Sequence, residues 1–502
     1  MAASSSSAIT RRTYGNWRKP TTSGLFGLGS VGTGIMLGGL MLVIIVIMVG
    51  GLLRGFITFL LLAVVLGAIL TRDRHGKNVV DRLIARFGWR QARVKGAHLY
   101  RSGPLGFTLW GTHQLPGLAA QLRVSEHHDS YGRPFALVHC PSTSTYTTVL
   151  GTEPDGASLV DPDQVDVWVA DWGHWLANLS DEPGVEAASV TIETAPDTGL
   201  RLRQEVMSNL DPNAPAFAQA MLREVVERYP SGSSVIKAYV AITFSSVSQA
   251  TGKRRTDTEM GRDLAARLPA LSGGLSATGA GAARPLAAAD LCEVIRVAYN
   301  PAAAVLVDEA HAAGEPTGLA WSDVGPVSAE ASWEAYRHDE AYSVTWSMTT
   351  APRGSVQSTV LARLLAPHRD VDRKRVTLLY RPIDAAKAAA IVEADLRSAE
   401  FVATSTAKPS ARAVLATRSA AATAQEEASG AGLVNFGMLV TATVVDARRS
   451  PEARAAIDSL SATARLRLRP VYGSQDSAFA AALPLGLLLP KHLKLPALSG
   501  RL

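Results

Sequence analysis

The chain has 502 residues, 47% of them hydrophobic, and a formal charge of +6. That is room for two or three domains with real cores. The basic excess is confined to one end: residues 1–96 hold thirteen Lys/Arg against two Asp/Glu, which leaves the remainder at −5 and argues against a body built to hold nucleic acid.

Residues 1–24 are small, polar and basic and predict a disordered cytoplasmic lead, with Tyr14 and Trp17 suited to the headgroup level of a membrane. Within residues 25–72, the run Val31–Thr71 carries one charge, Arg54. A helix crosses a bilayer with about 20 apolar residues, and this run is close to twice that. It divides at Gly50–Gly55, giving two spans near Val31–Val49 and Phe56–Leu70. A signal peptide is excluded by length, since its apolar region runs to only about 7–15 residues. Arg11, Arg12, Arg18 and Lys19 precede the spans, and Arg72, Arg74, Lys77, Arg82, Arg86 and Arg90 follow them. The positive-inside rule then predicts a multi-pass protein of the inner (plasma) membrane with both termini cytoplasmic. Gly34 and Gly38 form a small-xxx-small pair where the second span or a partner helix can approach. Residues 73–96 form a basic amphipathic segment with Val79, Leu83, Ile84 and Phe87 on one side. It suits either the membrane surface or the first helix of the body.

Residues 97–271 read as a first cytoplasmic α+β subdomain. Pro134–Cys140 and Thr145–Glu153 are strands joined by a turn at Pro141–Ser144, and Asp161–Leu179 has helical spacing of Val165, Trp168, Val169, Trp172 and Leu176. Strand Ser189–Pro196, helix Pro215–Tyr229, strand Ile236–Val247 and helix Thr256–Leu271 follow. Residues 272–286, rich in Gly, Ala and Ser, predict a flexible linker. Residues 287–502 read as a second α+β subdomain with a C-terminal tail. It holds helix Ala287–Tyr299, strand Lys374–Ile383, helix Asp384–Glu400, an alanine-rich surface segment Lys408–Gly432, strand Leu433–Val445 and helix Pro451–Ala464. The strand–helix–strand–helix order recurs, so the fold class expected is α+β: a transmembrane helical hairpin followed by two ferredoxin-like repeats.

No site of chemistry emerges. VLVDEAH (Val305–His311) looks like a helicase acidic box, but the chain has no GxxxxGK[ST] phosphate cradle to accompany it, so Asp308–Glu309 reads as a solvated turn. Glu126, His127, His128 and Asp129 are adjacent on one short loop and cannot close a tetrahedral metal site by themselves. Cys140 and Cys292 are far apart and read as reduced core thiols. The expectation is a non-enzyme with no catalytic, cofactor or metal residues.

TRRTYGNWRKP followed by the hairpin resembles the start of an actinobacterial family of conjugative-transfer membrane proteins, the hairpin being similar to the PrgI-like subunit of type IV secretion systems. The end, Ser459–Gly486, resembles the close of the non-ATPase N-terminal domain of TrbE/CagE-type traffic ATPases, where a Gln, an aromatic residue and a Leu-Pro-Leu-Gly turn precede the motor. Gln475, Phe479, Leu483, Pro484, Leu485 and Gly486 occupy that pattern. The resemblance implies a scaffold that docks a separate TrbE/CagE-like ATPase and other secretion-channel subunits, with Gln475, Phe479, Leu483, Pro484 and Gly486 at the joint. A type VII secretion subunit and a membrane-bound transferase are the alternatives weighed.

Overall fold

A computed structural model describes residues 12–492, apart from 16, 18–28, 72, 74, 104–105, 107–112, 155, 157–158, 229–233, 249–250, 353, 406–407 and 409. Most of the expected disordered lead and the last ten residues of the tail lie outside that set. Two helices, α1 (Gly29–Gly50) and α2 (Leu52–Leu70), are each long and apolar enough to cross a membrane. They fold back on one another at Gly51, whose φ of +83° is left-handed backbone that glycine adopts without a Cβ penalty. Close approach uses two other glycines: a Cβ on Gly39 would strike Leu62, and one on Gly55 would strike Ile47. Gly34 and Gly38 face open space, so the second span is not the helix they admit. Helix α3 (Val79–Val94) then starts at a capping box, Asn78 accepting from the Asp81 amide at 2.7 Å and Asp81 from the Asn78 amide at 3.2 Å.

The body is one antiparallel sheet. In chain order its described strands are β1 (Leu99–Arg101), β2 (Arg123–His128), β3 (Pro134–Cys140), β4 (Thr145–Thr152), β5 (Val185–Pro196), β6 (Ser234–Ser245), β7 (Ala283–Pro285), β8 (Ser328–Ala331), β9 (Tyr336–His338), β10 (Ala341–Thr350), β11 (Arg373–Pro382), β12 (Val434–Val444) and β13 (Arg467–Pro470). They lie in the order β1-β8-β9-β10-β12-β11-β5-β6-β4-β3-β2, with β13 also on β10 and β7 also on β4. The same pairing occurs in both halves. β7 pairs β4, β4 pairs β6 and β6 pairs β5; likewise β13 pairs β10, β10 pairs β12 and β12 pairs β11. The halves join where β5 meets β11, Thr191 opposite Thr377. Left apart, each would present a long unpaired edge, the usual template for aggregation.

Helices occupy corresponding places. α4 (Pro162–Asp181) links β4 to β5, α5 (Leu200–Ser208) and α6 (Ala216–Arg228) lie between β5 and β6, and α7 (Asp257–Gly273) follows β6. α8 (Ala288–Tyr299) and α9 (Ala303–Ala313) separate the halves. The second half places α10 (Ala362–Leu365) before β11, α11 (Ala385–Thr404) and α12 (Ala411–Ala428) between β11 and β12, and α13 (Ser450–Thr463) before β13, with α14 (Gln475–Ala481) last. On one face, Phe135, Tyr146, Ile242 and Phe244 pack under Trp175 of α4 and Met260 and Leu264 of α7. Val344, Trp346, Val440 and Ala442 pack under Ile457 of α13 and Leu364 of α10. The opposite face carries one core that spans both halves, Val149 and Ala241 together with Leu439 beneath α8 and the C-terminal segment.

Several expectations change. Residues 272–286 are no flexible linker: Leu275 and Leu286 are buried, a 3-10 turn runs Ser276–Thr278, and β7 adds to the sheet at β4. Asp308 and Glu309 sit on helix α9 rather than in a turn. Tyr14 is tied to the body by its hydroxyl, which donates to Asp166 at 2.5 Å, and the Trp17 ring packs on Phe436 at 5.6 Å, so neither sits at a headgroup.

Candidate functional site

The residues expected at a partner joint form a strap across the sheet, Ser474–Leu487. Gln475 is fully buried, and its amide pairs with a strand backbone: Oε1 accepts from the Thr345 amide at 2.8 Å and Nε2 donates to the Thr345 carbonyl at 3.2 Å. Phe479, also fully buried, lies against His338 at 4.6 Å, Tyr299 at 5.1 Å and Tyr336 at 5.3 Å between ring centroids. Farther along, Thr377 donates to the Ala482 carbonyl at 2.7 Å, and Leu483 and Pro484 are buried. Gly486 has φ +65° and rests on Thr147 and Thr243, where a Cβ would come within 2.4 Å of both hydroxyls. The strap thus touches β10, then β11, then β4 and β6. It packs the two halves against each other, and Gln475, Phe479, Leu483 and Pro484, expected at a partner joint, lie inside the fold while Gly486 is half-buried.

Beneath the strap lies a buried ionic cluster. Glu193 of β5 accepts from Arg373 and, at 2.9 Å, from Arg375 Nε, both on β11. Burial opposes the charge on Glu193, but Arg375 and Arg373 outweigh it and pull the carboxyl down to about 2. Arg375 also lies over the Phe479 ring at 5.5 Å. His338 is fully buried, and its burial lowers the imidazole to about 4. Its hydrogen bonds fix the tautomer. Nδ1 lies 2.5 Å from the Tyr299 carbonyl, which can only accept, so Nδ1 carries the proton and Nε2 accepts from Ser343 Oγ at 2.7 Å. On the other face burial lowers the Lys374 ammonium to about 8, and that group donates to the Ala366 carbonyl. Sequence reasoning missed this cluster, although three consecutive basic residues at Arg373–Arg375, leading into the apolar run Val376–Leu379 of the expected strand, were a signal.

The other sequence candidates serve structure. Glu126 accepts from the Ala288 amide at 2.9 Å at the start of α8, His127 packs on Gly261, and Asp129 closes a turn onto the Tyr131 and Arg133 amides. Asp308 accepts from Thr198 at 2.7 Å, and Cys140 and Cys292 are buried free thiols. Among the described residues no group of three or more His, Cys, Asp or Glu is placed to hold a metal ion. A cavity of about 370 Å³ lies between α3 and the start of α14, lined by Trp89, His98, Ser474 and Asp476. Burial raises the Asp476 carboxyl there.

Residues 21–81 match a domain family of unknown function, DUF8461. The match takes in the apolar hairpin, its flanks and the first residues of α3, and leaves the sheet outside it. A comparison with curated proteins gives no match.

Proposed function

We propose that this chain is an inner-membrane platform component of a conjugative DNA-transfer (type IV secretion) apparatus, with both termini cytoplasmic, that docks a separate traffic ATPase. The hairpin would anchor and the body would hold the motor, a mechanical role without chemistry of its own. Basic flanks on both sides of the hairpin favour that topology. The observation that carries the reading is the doubled strand pairing. In each half the strands lie in the order fourth, first, third, second, as in a split β-α-β domain of ferredoxin-like type. A doubled pairing of this kind within one sheet, read as two ferredoxin-like repeats on a membrane hairpin, would fit the fusion that the resemblance implies, a PrgI-like subunit joined to the non-ATPase half of a TrbE/CagE-type ATPase.

With Gln475, Phe479, Leu483 and Pro484 inside, the motor is better sought on the helical insertions. α5–α6 and α11–α12 occupy the same place, between second and third strands, and both expose large apolar side chains: Phe217 and Met221 on α6, Phe401 on α11 and Leu415 on α12. Exposed apolar groups of that size in a patch mark interaction surfaces. The test is capture of a TrbE/CagE-like ATPase by the full chain in nanodiscs. Phe217→Ser with Met221→Ser, and Phe401→Ser with Leu415→Ser, should each weaken capture while leaving thermal unfolding unchanged. Full capture by both variants would sink the docking surface; no capture by the unaltered protein would sink the partner.

A further inference from the structure

Helix α3 carries a surface that the platform reading leaves unused. It begins close behind α2 and packs against it. One side faces the body: Ala85, Trp89 and Ala92 line the cavity above α14, and the Trp89 ring lies 6.0 Å from His98 and 6.2 Å from Trp333. The opposite side is bare. Leu83 is 59% exposed, Phe87 72% and Val94 88%. At 3.6 residues per turn these three fall within a narrow arc, and Arg86, Arg90 and Arg93, all exposed, run along its edge.

An apolar stripe bordered by arginines is the pattern of a helix lying in the plane of a membrane interface. Two facts choose a lipid surface over another occupant. The stripe is continuous in the chain with a helix long and apolar enough to cross a bilayer. Its charge is also opposite to that of anionic headgroups, which attract basic residues just beyond a span. We infer that α3 lies in the headgroup layer of the membrane, with Leu83, Phe87 and Val94 among the upper acyl chains and Arg86, Arg90 and Arg93 on anionic lipid phosphates. The inference rests on the hairpin spanning the bilayer. It makes α3 a strut that sets the height and tilt of the sheet, since Trp89 fixes α3 to the body.

The test uses the full chain in vesicles of phosphatidylcholine and phosphatidylglycerol, carrying a bimane label at Phe87→Cys, Leu60→Cys or Leu159→Cys. Cys140 and Cys292 are buried and stay in place. Leu60 lies on α2, and Leu159 is 99% exposed in the body. Brominated lipid should quench the label at 87 several-fold more than aqueous acrylamide does, as at 60, with the reverse at 159. Arg86→Gln, Arg90→Gln and Arg93→Gln together should cut lipid quenching at 87 to its value in vesicles of phosphatidylcholine alone. Ready quenching by acrylamide at 87, with 60 still in lipid, would overturn the inference. So would shielding from both quenchers, which would show a protein or a second copy covering α3. Lipid quenching indifferent to the arginine changes would overturn the anionic contact. A label at 60 that lipid fails to quench would bring down the membrane reading itself.

Discussion

Glu193 and His338 are two buried titratable groups near the strap, and both are held in the form that costs least there. Glu193 stays ionised because two guanidiniums surround it; His338 stays neutral because burial and Arg375 both oppose a second positive charge. Each shift is a statement about stability. The His338 pKa falls from 6.5 to about 4 on folding, so its contribution is fully present above pH 6.5 and is lost as pH falls toward 4. The Glu193 pKa falls from 4.5 to about 2, so its contribution is present above pH 4.5 and drains away toward pH 2. Across its window each shift changes stability by on the order of 3 kcal/mol. Thermal unfolding of the full chain in detergent should therefore lose stability in two successive acid windows. His338→Gln should make the first window shallower, leaving the share of His139 and His492, whose pKa values burial also lowers, and should leave the second unchanged. Glu193→Gln should make the second shallower, leaving the share of carboxylates such as Asp129, and also lower stability at neutral pH by about 3–5 kcal/mol, because it leaves Arg373 and Arg375 buried without their carboxylate. A single window in the unaltered protein, unchanged by either substitution, would contradict these assignments.

At the scale of elements, the strap shows how a motif is legible in sequence while its role is not. Gln475, Phe479, Leu483 and Gly486 stand out as a spaced set, but spacing cannot tell a surface from an interior. What decides is the partner each meets: a strand backbone for Gln475, an aromatic nest for Phe479, and two threonine hydroxyls for Gly486. Gly486 gives the sharpest test, because a Cβ there is refused both by φ +65° and by Thr147 and Thr243, whose hydroxyls lie 3.0 Å apart. Gly486→Ala should cost about 2–4 kcal/mol, combining left-handed strain with overpacking. Thr243→Ala in the same chain should return part of that loss, since it removes one of the clashing atoms. Strict additivity in this double-mutant cycle would show that the strap does not rest on β6.

At the scale of the whole molecule, the elements with strong local signals were legible and the long-range pairings were not. The apolar hairpin follows from a charge-poor run, and α7 begins at Asp257 behind Thr256, which caps it with Glu259. β6 and β12 read as buried strands, β5 as an alternating strand and β11 as a strand, while β10 was not read. The joining of β5 to β11 was not legible, because both strands carry polar residues toward the strap (Thr191, Glu193, Arg375, Thr377) and either could have been a solvated edge. Strands β8 and β9 were missed because they are short, and the supposed linker because glycine and alanine pack as readily as they flex. The proposed topology offers a test at this same scale. In that proposal both basic flanks would face one side, and only the turn at Gly51 would reach the other. In intact cells a membrane-impermeant maleimide should label Leu52→Cys, beside the turn and exposed, and spare Leu159→Cys, and in inverted vesicles the preference should reverse. Labelling of both positions from the same side would place the body and the turn together, and the hairpin would then lie against the membrane instead of crossing it.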